Sequence, residues 1–387
     1  MKIAIITETF LPSTDGIVTR LCASIRWLLE QEHEVLVIAP DLGVTEFEGA
    51  RVAGVPPRSF FFYNDKKFAF PHRKVGRYLR EFDPDVVHVV NPVFLGVAGI
   101  YYARRGKWPL VASYHTHLPK YADYYYVPFL KPLFWWYFRL LHNRADLNLC
   151  TSQSVRADLQ DQRFRNVHVW KRGVDTEKFH PGHYSDEMRE RLTNGQPSKT
   201  LLLFVGRLAA EKEIEKIRDI LVESPDTCLA VVGDGPHRSA LEKHFQGTNT
   251  VFTGLLHGEE LAQAYASSDI FVFPSTTETL GLVLLEAMAS GLPVVAAESG
   301  PTKEQVENGE TGVLYKPGDQ GDLVEKVAAL KNNRFRSDVS TQAREASSGL
   351  GWTGQSKQLL SFYHRALRAR KVLAAFLSSP DERKSQS

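Results

Sequence analysis

Residues 269–288 read Asp-Ile-Phe-Val-Phe-Pro-Ser-Thr-Thr-Glu-Thr-Leu-Gly-Leu-Val-Leu-Leu-Glu-Ala-Met. This stretch predicts a buried strand that stops at Pro274, a short polar loop, and a helix from about Leu280. Glu278 would then lie beyond the strand's carboxyl end, and Glu286 about two helical turns later on nearly the same face. In open parallel sheets, ligands bind in the crevice beyond the carboxyl ends of the strands. The stretch therefore predicts an α/β domain with a ligand site at this edge.

The acidic pair suits a ligand that contains both phosphate and sugar. Free amides and the positive dipole end of a helix can bind phosphate. One carboxylate could then bind sugar hydroxyls and the other a ribose. The alternative is a glutamate in the first helical turn plus an unrelated surface glutamate. The other motifs of the chain favour the ligand site.

Short apolar runs alternate with helical segments along the whole chain. Those of the first half are Ile3–Thr7, Val35–Ala39, Val86–Val90, Leu110–Ser113 and Leu147–Thr151. Those of the second half are Leu201–Gly206, Thr227–Gly233, Val251–Thr253, Ile270–Pro274 and Pro293–Ala297. Such strands, separated by helices, indicate parallel sheets covered on both faces.

We therefore predict two doubly wound domains, residues 1–180 and 198–355. A helix at 356–377 is expected to cross back onto the first domain, and the polar residues 378–387 are expected to be disordered.

Composition describes a soluble globular protein and excludes several classes. The chain has 387 residues, of which 43% are hydrophobic and 24% charged. Residues 1–180 carry 24 Lys or Arg against 18 Asp or Glu, so the first domain is basic and suits an anionic surface. No binding-module signature for nucleic acid is present. Three scattered cysteines, a strand directly after Met1 and the lack of a bilayer-length apolar run predict a cytoplasmic protein that at most lies on a membrane.

The second domain places two cations at the same sheet edge as Glu278. Arg207 and Lys212 follow its first strand, five residues apart, and such a pair suits a diphosphate group. The alternative is a solvated helix start. Gly233 ends the next strand in a tight glycine turn, and Leu256 follows the strand after it. Exposed backbone amides at the carboxyl ends of these two strands could contact a base or ribose, although the full G-x-G-x-x-G pattern is absent.

The first domain offers a glycine and a histidine in equivalent positions. Gly16 lies between the first strand and the first helix, where a ligand can approach the helix amino terminus. His115 follows a strand end, which favours contact with substrate over a structural role. His115 and His117 are poorly placed to share one metal ion, and no carboxylate completes a set. We predict no metal site.

Aromatic and basic residues are concentrated between residues 121 and 144. The candidates for a membrane or acceptor surface are Tyr124, Phe134, Trp135, Trp136 and Arg139. Residues 58–74 have a similar composition. Mixtures of rings and cations favour an anionic lipid interface. The alternative is a buried aromatic helix.

These motifs resemble the retaining glycosyltransferases of family 4, which have the GT-B fold of two Rossmann-like domains facing a central cleft. The resemblance rests on the Gly-Arg-x-x-x-x-Lys element, the Glu-x7-Glu pair and several strings. The strings are Thr7–Pro12, Gly16–Arg20, His88–Pro92, Ser113–Tyr121, Leu147–Ser152 and Arg172–Glu177. Within the family, they are most similar to the cyanobacterial synthases of sulfolipid.

The resemblance implies a role for each matching residue. Arg207 and Lys212 would bind the UDP diphosphate, Glu278 the donor sugar and Glu286 the ribose. Further donor contacts are implied for Gly16, His115, Gly233, Leu256, Thr279, Leu280 and Gly281. Leu280 replaces the family's usual Phe, and the family's Gly-Gly-x-Pro-Glu loop has become Ser299–Glu304 here.

The implied reaction moves sulfoquinovose from UDP-sulfoquinovose to diacylglycerol, with no cofactor and no metal ion, at the inner or thylakoid membrane. Because a buried sulfonate requires a cation or several donors, Lys171 or Arg172 is its predicted partner and Lys120 the second choice. Arg172 could instead form an interdomain salt bridge. Alternative functions are hexosyl transfer to a lipid or a soluble sugar, epimerisation of a UDP-sugar at carbon two, and nicotinamide-dependent dehydrogenation.

Overall fold

The computed structural model describes residues 1–60, 63–124 and 127–378. Within them, the first sheet has the strand order β10-β9-β8-β7-β1-β2-β4-β3. Its strands are β1 (Lys2–Thr7), β2 (Glu34–Pro40), β3 (Glu46–Phe47), β4 (Ala50–Val55), β7 (Val86–Val90), β8 (Leu110–Ser113), β9 (Leu147–Cys150) and β10 (Val167–Val169). Neighbouring strands are parallel except β3 and β4. A separate antiparallel ribbon contains β5 (Pro57–Phe60) and β6 (Tyr63–Ala69).

The helices cover both faces of this sheet because its strands are apolar on both faces. They are α1 (Gly16–Glu30), α2 (Arg73–Phe82), α3 (Leu95–Arg105), α4 (Leu118–Tyr124), α5 (Lys131–His142) and α6 (Gln153–Asp161). Ile3 and Ile5 of β1 pack into the core beneath α1, whereas Ala4 and Ile6 pack into the opposite core beneath α2 and α3. This alternation follows from the two-residue period of a strand.

The second sheet is fully parallel, with the strand order β13-β12-β11-β14-β15-β16. Its strands are β11 (Thr200–Val205), β12 (Thr227–Val232), β13 (Thr250–Gly254), β14 (Ile270–Phe273), β15 (Val294–Ala297) and β16 (Val313–Tyr315). The helices of this half are α7 (Asp186–Leu192), α8 (Arg218–Glu223), α9 (Arg238–His244), α10 (Gly258–Ala266), α11 (Leu282–Ala289), α12 (Gly300–Lys303), α13 (Gln320–Leu330) and α14 (Asn333–Ser348). Leu203 and Phe204 point into opposite cores, again on alternate faces.

The chain crosses between the domains twice. On the first crossing, Val174 and Phe179 already pack in the second domain's core. On the second crossing, α15 (Trp352–Ser378) returns and lies against α1. Its residues Leu359 and Tyr363 are buried in the first domain's core. Most of the polar tail, residues 379–387, lies outside the described residues, so its expected disorder stays a prediction.

Among the described residues, no helix has both the length and the apolarity needed to cross a bilayer. The loops after β1, β8, β11 and β14 leave the carboxyl ends of the two parallel sheets. Side chains and backbone from these loops meet between the domains, as the contacts below show. The fold thus brings the motifs of both halves to one cleft.

Candidate active site

The ends of β11, β12 and β13 meet through glycine backbone. The Gly206 N–H donates to Val232 O at 3.0 Å, and the Gly233 N–H donates to Gly254 O at 2.8 Å. Gly233 has φ +139°, and a Cβ there would lie 1.9 Å from Gly206 O. Only glycine fits such an approach. The Gly233 amide is therefore engaged within the protein, whereas the sequence had indicated an exposed one.

Arg207 and Lys212 lie beside two carboxylates at this edge. Arg207 Nη1 is 3.6 Å from the buried Glu211, and Lys212 forms an ion pair with Glu278. The structure thus brings together the predicted cations and the predicted acid. Burial lowers the pKa of Lys212 to about 8, and Glu211 opposes that shift. The ion pair with Glu278 also favours the charged amine.

The loop that carries Glu278 is fixed from below by two hydroxyls. Ser275 and Thr277 are buried, and both donate to the backbone carbonyl of Glu211, at 3.1 and 3.4 Å. Each such hydrogen bond contributes about 1 kcal/mol. The loop is therefore held against the Arg207–Lys212 segment.

The helix after this loop begins later than predicted. Gly281 has φ +62°, a left-handed conformation, and α11 starts at Leu282 and not near Leu280. The expectation that Glu278 and Glu286 share a helical face two turns apart is therefore wrong, because Glu278 lies on the preceding loop. Leu280 is buried and its carbonyl accepts a hydrogen bond from Gln305.

Glu286 lies on α11 and is bound by a tyrosine. The Tyr265 hydroxyl donates to Glu286 Oε2 at 2.8 Å. Burial raises the pKa of Glu286, and the Tyr265 hydrogen bond opposes the shift. Leu256 is buried in the same core, beside the exposed Leu255.

Gly16 and His115 face the second domain directly. A Cβ on Gly16 would contact Leu282 Cδ1 at 3.3 Å. The Thr279 hydroxyl donates to His115 O at 2.5 Å, and Thr279 O accepts from Thr151 Oγ1 at 2.7 Å. Residues predicted from separate halves of the chain are thus in direct contact across the cleft.

The His115 imidazole is buried and neutral. Its Nε2 lies 2.9 Å from Ser113 Oγ. Burial lowers the pKa of His115 well below the usual value, and neighbouring Arg20 adds to the shift. A neutral imidazole has one donor and one acceptor nitrogen. His115 can therefore contribute a hydrogen bond to a substrate but no charge.

The three residues that were predicted to bind a sulfonate either contact other protein groups or are exposed. The Arg172 guanidinium donates to the backbone carbonyl of Glu304 in the second domain, so the alternative of an interdomain link holds through a hydrogen bond and not a salt bridge. The Lys171 side chain is exposed, and Lys120 pairs with Asp158 at 3.2 Å.

Glu304 itself was missed by sequence reasoning. Its carboxylate accepts hydrogen bonds from the amides of Gln153 and Ser154, at 2.8 and 2.6 Å. A carboxylate at a helix amino terminus satisfies otherwise unpaired N–H groups. Glu304 thus caps α6 of the first domain from the second.

Arg20 is a second missed residue. It is 1% exposed, its guanidinium lies 3.5 Å from the Trp170 ring centroid, and Nη2 donates to Trp170 O at 2.9 Å and to Lys171 O at 2.5 Å. Its Nε and Nη1 have no hydrogen-bond partner in the part of the chain that the structure describes. Burial lowers the pKa of Arg20 to about 9. The string Gly16–Arg20 contained it, but an arginine on an amphipathic helix usually lies in solvent.

Large apolar side chains lie on two faces of helix α5, one exposed and one buried. Leu133, Trp136 and Leu140 are 53%, 51% and 40% exposed, and Phe129 just before the helix is 75% exposed. The spacing of three and four residues places Leu133, Trp136 and Leu140 on one side of α5, and Phe129 lies in the 3-10 turn that leads into the helix. We call these four residues the apolar stripe.

The other predicted interface residues lie elsewhere. Trp135 packs at 5.3 Å from the His117 ring and Phe134 packs against the same inner cluster, as in the alternative of a core helix. Arg139 donates to Gln162 O at 3.4 Å. The Tyr124 hydroxyl is 3.0 Å from Thr276 Oγ1 of the second domain. Of the predicted set, Trp136 alone belongs to the apolar stripe.

Among the described residues, no three His, Cys, Asp or Glu side chains come close enough to hold a metal ion. His115 is bonded to Ser113 and His117 lies 3.3 Å from Asp158.

Comparison with known proteins assigns the family. Residues 14–178 match Glycosyltransferase Family 4, and residues 186–346 match Glycosyl transferases group 1. The chain is 40% identical over 345 residues to a sulfoquinovosyl transferase of Arabidopsis thaliana, covering 87% of this chain and 68% of that protein. The chain belongs to glycosyltransferase family 4.

Other relatives of this family 4 chain carry different names. A GDP-mannose-dependent alpha-mannosyltransferase of Mycobacterium tuberculosis is 37% identical over 97% of this chain and 99% of that protein. An alpha-monoglucosyldiacylglycerol synthase of Streptococcus pneumoniae is 29% identical over 81% of this chain and 75% of that protein. Transferase activity is thereby shown, in place of the epimerase and dehydrogenase alternatives.

Solved structures confirm the predicted fold. HepE of Anabaena, in complex with UDP-glucose, aligns with a TM-score of 0.78 at 21% identity, covering 94% of this chain and 100% of that one. The GT-B prediction of two Rossmann-like domains is confirmed.

Proposed function

We propose that this family 4 enzyme transfers sulfoquinovose from UDP-sulfoquinovose to the hydroxyl of diacylglycerol, with retention of anomeric configuration. The apolar stripe of Phe129, Leu133, Trp136 and Leu140 carries the lipid half of the proposal. Four large apolar side chains on one exposed face are unusual for a soluble surface and mark an interaction site. The donor half is supported by the 40% identity to a sulfoquinovosyl transferase.

The stripe is placed to reach a membrane-borne acceptor. It begins at Phe129, five residues after Tyr124 of α4, and the Tyr124 hydroxyl is hydrogen-bonded to Thr276 in the loop that carries Glu278. Rings and leucines insert at the headgroup boundary, while cations on the basic first domain attract anionic lipid. Membrane association would therefore be peripheral and would bring the cleft close to the lipid surface.

A cavity of about 230 Å³ lies on the inner side of the same helix. It is lined by His117, Lys120, Trp135 and Asp158, among others. Its mixed charges suit a polar lipid headgroup better than an acyl chain. The inner face of α5 would then contact lipid headgroups, and the apolar stripe on its outer face would contact the apolar part of the lipid.

The chemistry we propose needs groups already gathered in the cleft. Arg207 and Lys212 bind the UDP diphosphate and stabilise the negative charge that develops as it leaves. Glu278 binds donor-sugar hydroxyls once Lys212 turns to the phosphate. Glu286 Oε2 accepts from Tyr265, which leaves Oε1 for a ribose hydroxyl.

The bond changes balance without a metal ion. The bond between the anomeric carbon and the diphosphate oxygen breaks, and the diacylglycerol oxygen bonds to that carbon on the same face. The hydroxyl proton passes to a diphosphate oxygen. His115, next to the donor sugar, contributes a neutral hydrogen bond.

The main competing function is transfer of an uncharged hexose. The full-length similarity to a GDP-mannose-dependent mannosyltransferase favours mannosyl transfer, and the monoglucosyldiacylglycerol synthase favours glucosyl transfer to the same lipid. HepE, similar in fold, is known with UDP-glucose.

One assay separates these candidates. Purified protein is incubated with vesicles that contain diacylglycerol and with UDP-sulfoquinovose, UDP-glucose or GDP-mannose in turn, and the lipid products are weighed by mass spectrometry. We expect a sulfonated glycolipid as the dominant product. A neutral hexosyl lipid formed at higher kcat/KM would replace the proposal with the corresponding hexosyl transfer.

A further inference from the structure

A chain of hydrogen bonds connects the last helix to His115. Tyr363 Oη on α15 is 2.8 Å from His88 Nδ1, and His88 Nε2 is 2.9 Å from Ser113 Oγ. The same Ser113 Oγ is 2.9 Å from His115 Nε2. All four side chains are buried, and Tyr363 and His88 are separated by 275 residues in sequence.

The protons along this chain can be assigned by elimination. Tyr363 Oη has His88 as its one hydrogen-bond partner in the described residues, so its proton is satisfied if it donates to His88 Nδ1. His88 is neutral, because burial lowers its pKa to about 3 with Arg20 adding to the shift. A neutral imidazole that accepts at Nδ1 carries its proton on Nε2. His88 therefore donates to Ser113 Oγ.

Ser113 then has one proton left to donate. Because Ser113 is fully buried and its hydroxyl has no other acceptor among the described residues, this proton points to His115 Nε2, which is then the acceptor nitrogen. The neutral His115 consequently carries its proton on Nδ1. That nitrogen has no hydrogen-bond partner among the described residues, but it is not one of their enclosed polar atoms, so its N–H can be satisfied by solvent or by a ligand.

The opposite direction leaves a buried proton without an acceptor. If His115 donated to Ser113 and Ser113 to His88, the His88 Nδ1–H would donate to Tyr363 Oη. The Tyr363 hydroxyl proton would then have no partner among the described residues. An unsatisfied buried donor costs about 1–3 kcal/mol.

Both histidines stay neutral mainly because they are buried, and the neighbouring Arg20 cation adds to the effect. Arg20 is the cation packed against this cluster, and Trp170 lies edge-on to both rings at 6.0 and 5.8 Å. Cys150 and His142 are the other titratable neighbours, and burial raises the pKa of Cys150 to about 12 and lowers that of His142 to about 4. A charged imidazole beside a buried arginine is disfavoured.

We propose that Tyr363 is a positioning residue that sets the tautomer of His115, so that His115 presents an Nδ1–H donor to the donor sugar. The sugar contact rests on the function proposed above, whereas the tautomer does not. A fixed N–H donor recognises an acceptor oxygen of the sugar, and a sulfonate offers three. The last helix, far from the cleft in sequence, would thus tune a group that faces substrate.

The tautomer can be measured without any activity. In protein labelled with ¹⁵N-histidine, long-range ¹H–¹⁵N correlation spectra distinguish a protonated Nδ1 from a protonated Nε2. Signals of His115 and His88 are assigned by their loss in His115→Gln and His88→Gln. We expect His115 to be protonated at Nδ1 in the native protein and to become a mixture, or to switch to Nε2, in Tyr363→Phe.

A matched control separates this effect from a general loss of packing. Tyr78→Phe removes a hydroxyl of the same domain that donates to Gly54 O at 3.2 Å. This hydroxyl takes no part in the hydrogen bonds that connect Tyr363 to His115. We expect Tyr78→Phe to leave the His115 tautomer unchanged. If Tyr363→Phe unfolds the protein, Ser113→Ala is used instead, because it removes the hydroxyl that connects His88 to His115. We expect the same loss of the single His115 tautomer.

Kinetics supply the second readout. We expect Tyr363→Phe to lower kcat about tenfold, with a smaller change in KM for the acceptor. The effects of Tyr363→Phe and Ser113→Ala should not add, because both interrupt one chain. A His115 that is protonated at Nε2 in the native protein, or that keeps its tautomer in both variants, would overturn the proposal. If the tautomer changes in Tyr363→Phe but the native protein does not transfer sulfoquinovose, the proposed function is wrong and the proposal for Tyr363 stands.

Discussion

Replacing Lys212 by Met tests the proposed diphosphate site most directly. The Lys212 side chain is 14% exposed and forms an ion pair with Glu278, so methionine fills similar volume while removing the charge. Loss of one preorganised donor to a developing negative charge typically costs about 2.7–4 kcal/mol of transition-state stabilisation. We therefore expect kcat/KM for the UDP-sugar to fall by about 10²- to 10³-fold. Arg207→Met should behave similarly.

Lys216 provides the matched control for Lys212. It lies four residues further on, is 22% exposed and forms its own ion pair with Glu213 at 2.5 Å. Lys216→Met removes a charge of the same kind without touching the predicted phosphate site, and we expect kcat/KM to change by less than about threefold. Equal losses in the Lys212 and Lys216 variants would mean that the effect is general electrostatics. Native activity in Lys212→Met would remove the lysine from the mechanism.

The pH dependence of Lys212 gives an independent check. Its pKa in the folded protein, about 8, is below its usual 10.5, so the folded state loses this proton first as pH rises. UDP affinity should therefore weaken above pH 8, while stability should rise between about pH 8 and 10.5 because the unfolded chain binds more protons there. Isothermal titration with UDP, and with uridine as a control, measures the first effect. Lys212→Arg, charged throughout, should abolish it.

Three further outcomes are expected. Gly233→Ala should lower Tm clearly and leave little folded enzyme, because its Cβ would lie 1.9 Å from a carbonyl oxygen; thermal unfolding measures this. Replacing Leu133 and Trp136 by Asn should reduce sedimentation with anionic liposomes several-fold, whereas the exposed Leu255→Asn should not. Arg172→Ala should reduce transfer from UDP-sulfoquinovose and UDP-glucose equally, since it binds a backbone carbonyl; selective loss of the sulfonated donor would contradict this.

The sequence was informative wherever function depends on local order along the chain. The residues that follow each parallel strand lie at one edge of the sheet, so the sequence alone assigns Arg207, Lys212 and Glu278 to one site. Gly16 and His115 follow from the same rule in the first domain. Their contacts with Thr279 and Leu282 confirm that both edges meet, which strand spacing alone does not determine.

Residues whose role depends on distant packing could not be predicted. Tyr363 reads as one apolar position of an amphipathic helix, and nothing local pairs it with His88. Arg20 reads as a solvated helix residue because its neighbours do not show that Trp170 will cover it. Trp135 and Trp136 are adjacent and chemically identical, so only the orientation of α5 assigns one to the inner cluster and the other to the surface.

Among the described residues, the polar contacts between the two domains are hydrogen bonds, mostly to backbone, and not ion pairs. Thr279 and Thr151 bond to carbonyls across the cleft, Arg172 bonds to the Glu304 carbonyl, and the Glu304 carboxylate bonds to two amides. Each contributes about 0.5–1.5 kcal/mol, with more for those that involve a charged group, so the set amounts to several kcal/mol. This free energy is enough to favour one arrangement of the two domains, but it is small compared with the free energy of binding a nucleotide sugar. A separation of the two domains would therefore break these few polar contacts while both cores stay intact.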